Sequence, residues 1–600
     1  MQQKKKTGAE NIRWDLSDLY KGMDDPQYEE DKRTVIREAD AFAGSYRGKV
    51  ASLSPDTFRE ALDRYADIME RTGKLASYAY LNWTTDTAKP RFGKELQESN
   101  ERSSEVSAKV VFFLLEWLDF DEEKAKTWIR SNELAFYRHF LETSRLDKPH
   151  TLEEKEEKIM SSKSVTGAQA WVRYFDEVLG ASRFSLDGEM LTEAEILSKL
   201  HDPDREVRRK ASGSFTRGLK EMKHALTYVF NTLLADKYTN DRIRNYPHWL
   251  RSRNLANEIT DESVDALVSS VTNRYDLVHR YYRLKRTLLG LDEMLDYDRY
   301  APLEKSRKLI RWDEAKALVI NAYEKFHPEM ASVSRRFFDE KWIDAAIVPG
   351  KRGGAYSAGT VPSVHPYIFM NYDGQLRDVQ TLAHELGHGI HQYLSRGQGM
   401  LQMNTPLTTA ETASVFGEML VFQELLADLD NPADKMALLV GKIDDTMATV
   451  FRQISMNRFE NLIHRARREE GELTTDRFSE LWIQTQHALY GDAVTLTEQY
   501  HLWWSYIPHF VHTPGYVYAY AFGELLVMAL YEEYVSSDDG FNDKYLAMLE
   551  KGGSDWPHRL TASLGLDIND KQFWNRGMSA IEKLVSKAEN LLPLIPKQNP

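Results

Sequence analysis

Apolar positions recur at helical spacing along most of the 600-residue chain. In SSEVSAKVVFFLLEWL, Val106, Val110, Phe113 and Trp117 fall at i, i+4, i+7 and i+11, which predicts a helix with one core-facing side. Charged helical patterns continue through ETSRLDKPHTLEEKEEKIM. In GEMLTEAEILSKLHDPDREVRRKASGSF the Asp-Pro-Asp reads as a turn before a new helix. A boundary is expected there, dividing the chain into 1–200 and 201–600. No internal repeat or low-complexity tract is present, which argues against a solenoid. One stretch, VPGKRGGAYSAGTVPSVHPYIFMNYDGQLRD at 348–378, breaks the helical pattern. Its glycines and prolines flank PYIFMNY, a short β-favouring run closed by Asp373 and Gly374, so a small sheet is expected just before the next helix. The glycine-rich loop lacks the ending of a phosphate-binding loop, and its expected use is structural or as the wall of a cleft.

Composition narrows the class of protein. With 42% hydrophobic and 28% charged residues the chain can bury a core and is not a disordered polymer. Its 92 acidic against 78 basic residues leave a net charge of -14, a field that repels nucleic acid and anionic membranes. There is no cysteine, so disulfides and thiolate metal sites are excluded, and any metal must be held by His, Asp or Glu. The beginning, MQQKKKTGAENIRWDL, has basic residues with no apolar stretch after them, and VVFFLLEWLDF is short and broken by Glu116. The expectation is a soluble cytoplasmic protein without nucleic-acid or membrane partners.

The chemistry is concentrated in TLAHELGHGIHQYL, which sets three of the chain's 17 histidines beside a glutamate. On a helix from about Val379, His384 and His388 lie one above the other and can grip one tetrahedral ion. Glu385 is rotated by about 100°, beside such an ion and outside its ligand sphere, where a proton acceptor for water belongs. A catalytic zinc takes three protein ligands. His391, seven residues after His384, is one candidate for the third, although three ligands on one straight helix surround an ion poorly. The following segment TTAETASVFGEMLVFQELLADL offers Glu411 and Glu418. From spacing alone Glu411 is equally a ligand or the far end of a capping box with Thr408. Glu418 is placed to hydrogen-bond a ligating histidine. Further on, SYIPHFVHTPGYVYAYAFGELL gathers His509, His512, Tyr516, Tyr518 and Tyr520, side chains able to donate to a developing oxyanion.

The run NYDGQLRDVQTLAHELGHGIHQYL followed by PLTTAETASVFGEM resembles the thimet-oligopeptidase-type zinc peptidases, the M3 group, in the oligoendopeptidase F branch. WDLSDLY near the start, GKRGGAYS and the late GGSDWP are similar to that branch too, so the resemblance spans nearly the whole chain. It implies a mainly α, zincin-like, two-lobed helical shell around a deep cleft, with a small sheet beside the histidine helix and 201–600 as the catalytic domain. It also implies one Zn2+ per chain on His384, His388 and Glu411, with His391 and Glu418 supporting the ligands from behind. Tyr520 best matches the oxyanion tyrosine and His509 the substrate-contacting histidine; Tyr516 is a further substrate contact. Val517 stands where some relatives carry another tyrosine. The expected activity is zinc-dependent endopeptidase cleavage of short unstructured peptides, with Glu385 as general base. Substrate would pair with PYIFMNY, so Tyr367 and Phe369 are expected to bind it. The alternatives are a zinc-containing peptide-binding protein without turnover and a zinc hydrolase of non-peptide substrates; the intact Glu385 argues against the first.

Overall fold

The computed structural model describes residues 6–303, 309–537 and 540–595, and most of them are helical. The predicted core face is present, with Val106, Val110, Phe113 and Trp117 all buried. Its helix is broken at Val111, between Pro90–Val110 and Phe112–Leu118. The chain forms two compact units, each drawn from three segments: Met1–Lys148, Arg307–Leu425 and Glu533–Asp567 in the first, and Pro149–Ser306, Leu426–Glu532 and Ile568–Pro600 in the second. Residue 200 lies inside the second unit, so the passages between units do not coincide with the boundary expected there. The Asp-Pro-Asp turn has a local purpose: Asp204 caps the helix Arg205–Ile243 by accepting from Glu206 N–H. Phe215 and Phe230 of that helix pack edge-on against Trp503 and Trp504 in the core of the second unit.

Among the described residues five short strands interrupt the helices: β1 (Phe184–Leu186), β2 (Glu189–Leu191), β3 (Ile343–Asp344), β4 (Tyr356–Ala358) and β5 (Tyr367–Phe369). β1 and β2 form a hairpin in the second unit, and β3, β4 and β5 form the sheet expected before the histidine helix in the first. In that sheet β5 is central, parallel to β3 on one side and antiparallel to β4 on the other. Both of its backbone edges are therefore used, and the expectation that PYIFMNY receives substrate is corrected: the outer strand is β4. Tyr367 and Phe369 are fully buried and cannot bind substrate. Trp14, from the WDLSDLY segment, packs against both rings, with centroids 5.9 and 5.7 Å away, and the Tyr367 hydroxyl donates to Asp15 O at 3.1 Å.

The glycine-rich loop is fastened from below. Lys351 is almost fully buried, pairs with Asp344 at 2.6 Å and donates to the carbonyls of Ala346 and Met370 at 2.9 and 2.7 Å. Arg13 reaches the same carboxylate at 3.1 Å from a half-exposed position. One ammonium thus ties the loop to two strands and satisfies groups that water does not reach. Lys351→Met would strand the Asp344 carboxylate with only Arg13 to offset it. The expected loss is about 3 kcal/mol of unfolding free energy, read as a lower urea midpoint with an unchanged slope.

Candidate metal centre

The helix that carries the histidines is α1 (Leu376–Ser395), and its start is written in NYDGQLRD. Gly374 turns the chain at φ +82°, a conformation that side chains disfavour. Asp378 then accepts from Gln375 N and Asp373 N, both at 2.9 Å, closing a capping box. Val379, Leu382, Ala383, Leu386 and Ile390 bury one side of the helix, and the half-buried His384 and His388 rise from the other with ring centroids 4.8 Å apart.

Two further helices, α2 (Leu407–Ala410) and α3 (Thr412–Asp428), meet at Glu411, whose backbone is the hinge between them. This settles the capping question. Thr408 lies inside α2, where Pro406 holds the cap position, and the Glu411 carboxylate instead accepts from Ser414 Oγ at 2.7 Å. Glu411 Oε2 stands 3.4 Å from His384 Nε2 and 3.3 Å from His388 Nε2. Ligand atoms of these three residues lie within 4.8 Å of one another, close enough for one ion to bridge them. Two imidazole nitrogens and a carboxylate oxygen are the donor set of a catalytic zinc site. His384 Nδ1 faces Glu418 Oε2 at 3.5 Å, which leaves Nε2 directed toward Glu411. His391 is buried and is not part of the cluster.

The close approach of α1 and α3 depends on glycine. A Cβ at Gly387, the glycine of HELGH, would lie 2.6 Å from Ser414 Cα and would also collide with Ala413 O. The backbones therefore touch where the ligands converge. Gly417 makes room in the same way for Tyr323, whose hydroxyl donates to Ala383 O of α1 at 2.6 Å. Tyr323 thus spans the two ligand-bearing helices. Sequence reasoning passed over Gly387, Ser414, Gly417 and Tyr323. The first three sit inside the motifs and could have been read as close-approach and carboxylate-fixing positions, whereas nothing local marks Tyr323.

The charges hold one another. Burial favours neutral His384, but its hydrogen bond to Glu418 and the charges of Glu411 and Glu385 outweigh burial and lift its pKa to about 9. Burial also works against ionised Glu411, yet His388, His384 and Ser414 together bring it down to about 2. Glu385 behaves differently. Burial raises it, and the two histidines only partly oppose that. His391 is lowered to about 4 by burial and by the neighbouring His388.

In the second unit His509, Tyr516 and Tyr520 are brought together, as the sequence suggested. His509 Nε2 lies 3.2 Å from the Tyr520 hydroxyl, and the Tyr516 and Tyr520 rings meet edge-on at 5.0 Å. All three are partly exposed. His509 is held below the usual imidazole range by burial, then by Arg452 and His512. Tyr518 and His512 turn elsewhere: Tyr518 is buried between Asn254 and Asn257 at 2.8 Å each, and His512 pairs with Asp176 at 2.7 Å.

Two histidines one helical turn apart, a glutamate from the next helix and a buried carboxylate beside them define a metallopeptidase centre of the HExxH class. Known proteins carry the identification further. The model of Peptidase family M3 matches residues 198–580, and that of Oligopeptidase F matches residues 116–184. The chain belongs to peptidase family M3 and is a metalloendopeptidase, an enzyme that hydrolyses peptides. The two matched regions abut near residue 200, although the compact units divide elsewhere. Oligopeptidase PepF of Bacillus subtilis (strain 168) is 28% identical, over 96% of this chain and 87% of its own. Group B oligopeptidase PepB of Streptococcus agalactiae is 26% identical over 97% of each chain. Among solved structures, a putative peptidase from Chlamydophila abortus shares the fold with a TM-score of 0.87 at 24% identity, covering 97% of this chain and 98% of its own. Oligoendopeptidase-F from Enterococcus faecium does so with a TM-score of 0.70 at 21% identity, covering 95% and 99%.

Gly387→Ala tests the helix contact. The added methyl group forces α1 and α3 apart at an expected cost of about 1–3 kcal/mol, and metal stoichiometry falls well below that of the wild type. Metal analysis of the purified variant alongside its melting curve checks both.

Proposed function

We propose that the protein is a zinc-dependent oligoendopeptidase, with His384, His388 and Glu411 holding one Zn2+ per chain and Glu385 as general base. The observation that carries this reading is the convergence of three ligand atoms within 4.8 Å, with the buried Glu385 carboxylate one position round the same helix. Held there, zinc would supply Lewis-acid polarisation of the scissile carbonyl and would lower the pKa of water toward neutrality. His384 and His388 would hold it through Nε2, Glu418 orients His384 through Nδ1, and Ser414 fixes the Glu411 carboxylate. Glu385 takes a proton from the attacking water and delivers it to the nitrogen of the departing amine.

Tyr520 and His509 donate to the oxygen that becomes negative as the carbonyl turns tetrahedral, and Tyr516 packs against substrate. Their mutual contact and partial exposure support this assignment. Substrate main chain pairs with β4, the outer strand of the sheet, in place of the enclosed β5. Main-chain pairing makes little demand on sequence, which suits short unstructured peptides as substrates. Among the described residues no helix is long and apolar enough to cross a membrane. With no cysteine to oxidise and a net charge of -14, the cytoplasm is the assigned compartment, without nucleic-acid or membrane partners.

The test is cleavage of a mixed library of short peptides. Wild type cuts internal bonds, a chelator stops it, and zinc restores it. Glu385→Gln retains zinc and loses about a thousandfold in kcat. A wild-type protein that binds zinc and peptide but releases no product would refute the mechanism. For Tyr520→Phe a fall of about a hundredfold in kcat, with KM little changed, is expected from steady-state kinetics.

A further inference from the structure

The open edge of β4 takes its polar groups from a single residue of a three-residue strand. On the neighbouring β5, Ile368 N–H donates to Trp342 O at 2.9 Å, so Ile368 turns its main-chain groups toward β3. Alternation then turns those of Tyr367 and Phe369 toward β4, where their partners Ala358 and Tyr356 turn back to meet them. The N–H and C=O that remain on the outer edge belong to Ser357.

This residue is held on both sides. Tyr356, just before it, stacks on Phe369 with centroids 5.0 Å apart, and its hydroxyl shares a 2.8 Å hydrogen bond with Thr84 of the helix Pro55–Thr85. Ser357 points the other way, to the histidine helix: its hydroxyl donates to Gln392 Oε1 at 2.7 Å. Gln392 Nε2 reaches back to Ser357 O at 3.4 Å, a long bond that leaves this oxygen able to accept from a second donor. The stem of Gln392 runs beside Gly359, where a Cβ would come within 3.3 Å of Gln392 Cγ and Cδ. One side chain of α1 thus grips β4 at the hydroxyl and the carbonyl of its outward-facing residue. An amide supplies acceptor and donor together and brings no charge toward the metal ligands.

The place of Gln392 on α1 gives the grip its meaning. It follows His388 by four residues, one turn on and about 6 Å further along the axis. It follows Glu385 by seven, which returns to within about 20° of the same line along the helix. The two histidines, the glutamate between them and the clamp on β4 therefore share one side of one helix. All of these residues belong to the first unit.

We propose that Gln392 is a positioning residue of the peptidase, holding Ser357 at a set distance from the histidines of the same helix so that a peptide paired with β4 presents one particular bond to the metal. This rests on the reading of β4 as the strand that pairs with substrate, and adds to it what fixes the register.

The experiment compares wild type with Gln392→Leu, Ser357→Ala and the double variant. Zinc content, melting temperature, KM, kcat and a mass-spectrometric map of the cleaved bonds are measured on one set of short peptides. Leucine keeps most of the bulk of Gln392 without its polar groups, and alanine removes only the hydroxyl on the strand. Both single variants are expected to hold zinc in the wild-type amount, to raise KM about five- to tenfold with a smaller change in kcat, and to cut neighbouring bonds that wild type leaves intact. The double variant matches Gln392→Leu, because both substitutions remove the same link. Variants that cut the same bonds with the wild-type KM overturn the proposal. Additive effects overturn it too, as does activity lost only in step with zinc, which makes Gln392 a brace of the metal site alone. If Gln392→Leu fails to fold, Ser357→Ala decides through KM and the cleavage map. An N-methyl scan of one substrate with wild type reports on strand pairing separately: if methylation raises KM at no position, pairing with β4 is refuted and the register proposal with it. A wild-type protein that cuts no peptide refutes the peptidase reading itself, whereas wild type and variants cutting alike refutes only the role of Gln392.

Discussion

Contact between two helix backbones governs the metal centre. At Gly387 the histidine helix has no side chain, and Ala413 and Ser414 of the next helix occupy the space that a Cβ would need. Only at that separation does the Glu411 carboxylate reach 3.3 and 3.4 Å from the two histidine nitrogens. The other supports follow from this approach. Tyr323 crosses from Gly417 to the carbonyl of Ala383, Ser414 steadies the ligand carboxylate, and Glu418 comes within reach of His384. A shift of one ångström between the helices would spoil several interactions together, because all of them span the same gap.

The motifs scattered along the chain share a mechanical role around this contact. Trp14 covers the central strand of the sheet, and Asp18 pairs with His365 at 3.0 Å. Lys351 fastens the glycine-rich loop beneath β4, and the late GGSDWP braces the loop between the ligand helices: Gly553 N donates to Gln402 O at 2.9 Å, and Gln402 in turn holds Phe136 O and Phe140 N. Trp556 donates to Glu142 at 3.0 Å. These contacts supply no reacting group. They fix the positions of α1, β4 and the Glu411 hinge, as a preorganised catalytic site requires.

The ligand spacing was legible in the sequence because helical periodicity is a local property, and His384, Glu385 and His388 depend on nothing beyond one turn of helix. The buried face of Val106, Val110, Phe113 and Trp117 was legible for the same reason. Glu411 was ambiguous because a capping box and a ligand share one spacing, and only the break of the helix at Glu411 itself separates them. The strand PYIFMNY was recognised as strand, but its place in the sheet was misjudged: strand order depends on pairing between distant segments, and β3 lies more than twenty residues upstream. Tyr323 and Gln392 escaped notice because a tyrosine and a glutamine on a helix look like any others until their neighbours are known. The interleaving of the two units is hidden for a related reason, since each passage between them occurs without a linker-like change in composition.

That interleaving bears on how the enzyme is made. The unit that holds the ligand helices is complete only when Glu533–Asp567 has joined segments synthesised several hundred residues earlier. On a ribosome, residues 384 to 411 emerge long before Gly553 can brace the loop that connects them. A nascent chain in which residues 384 to 411 are already translated therefore lacks the frame that aligns them.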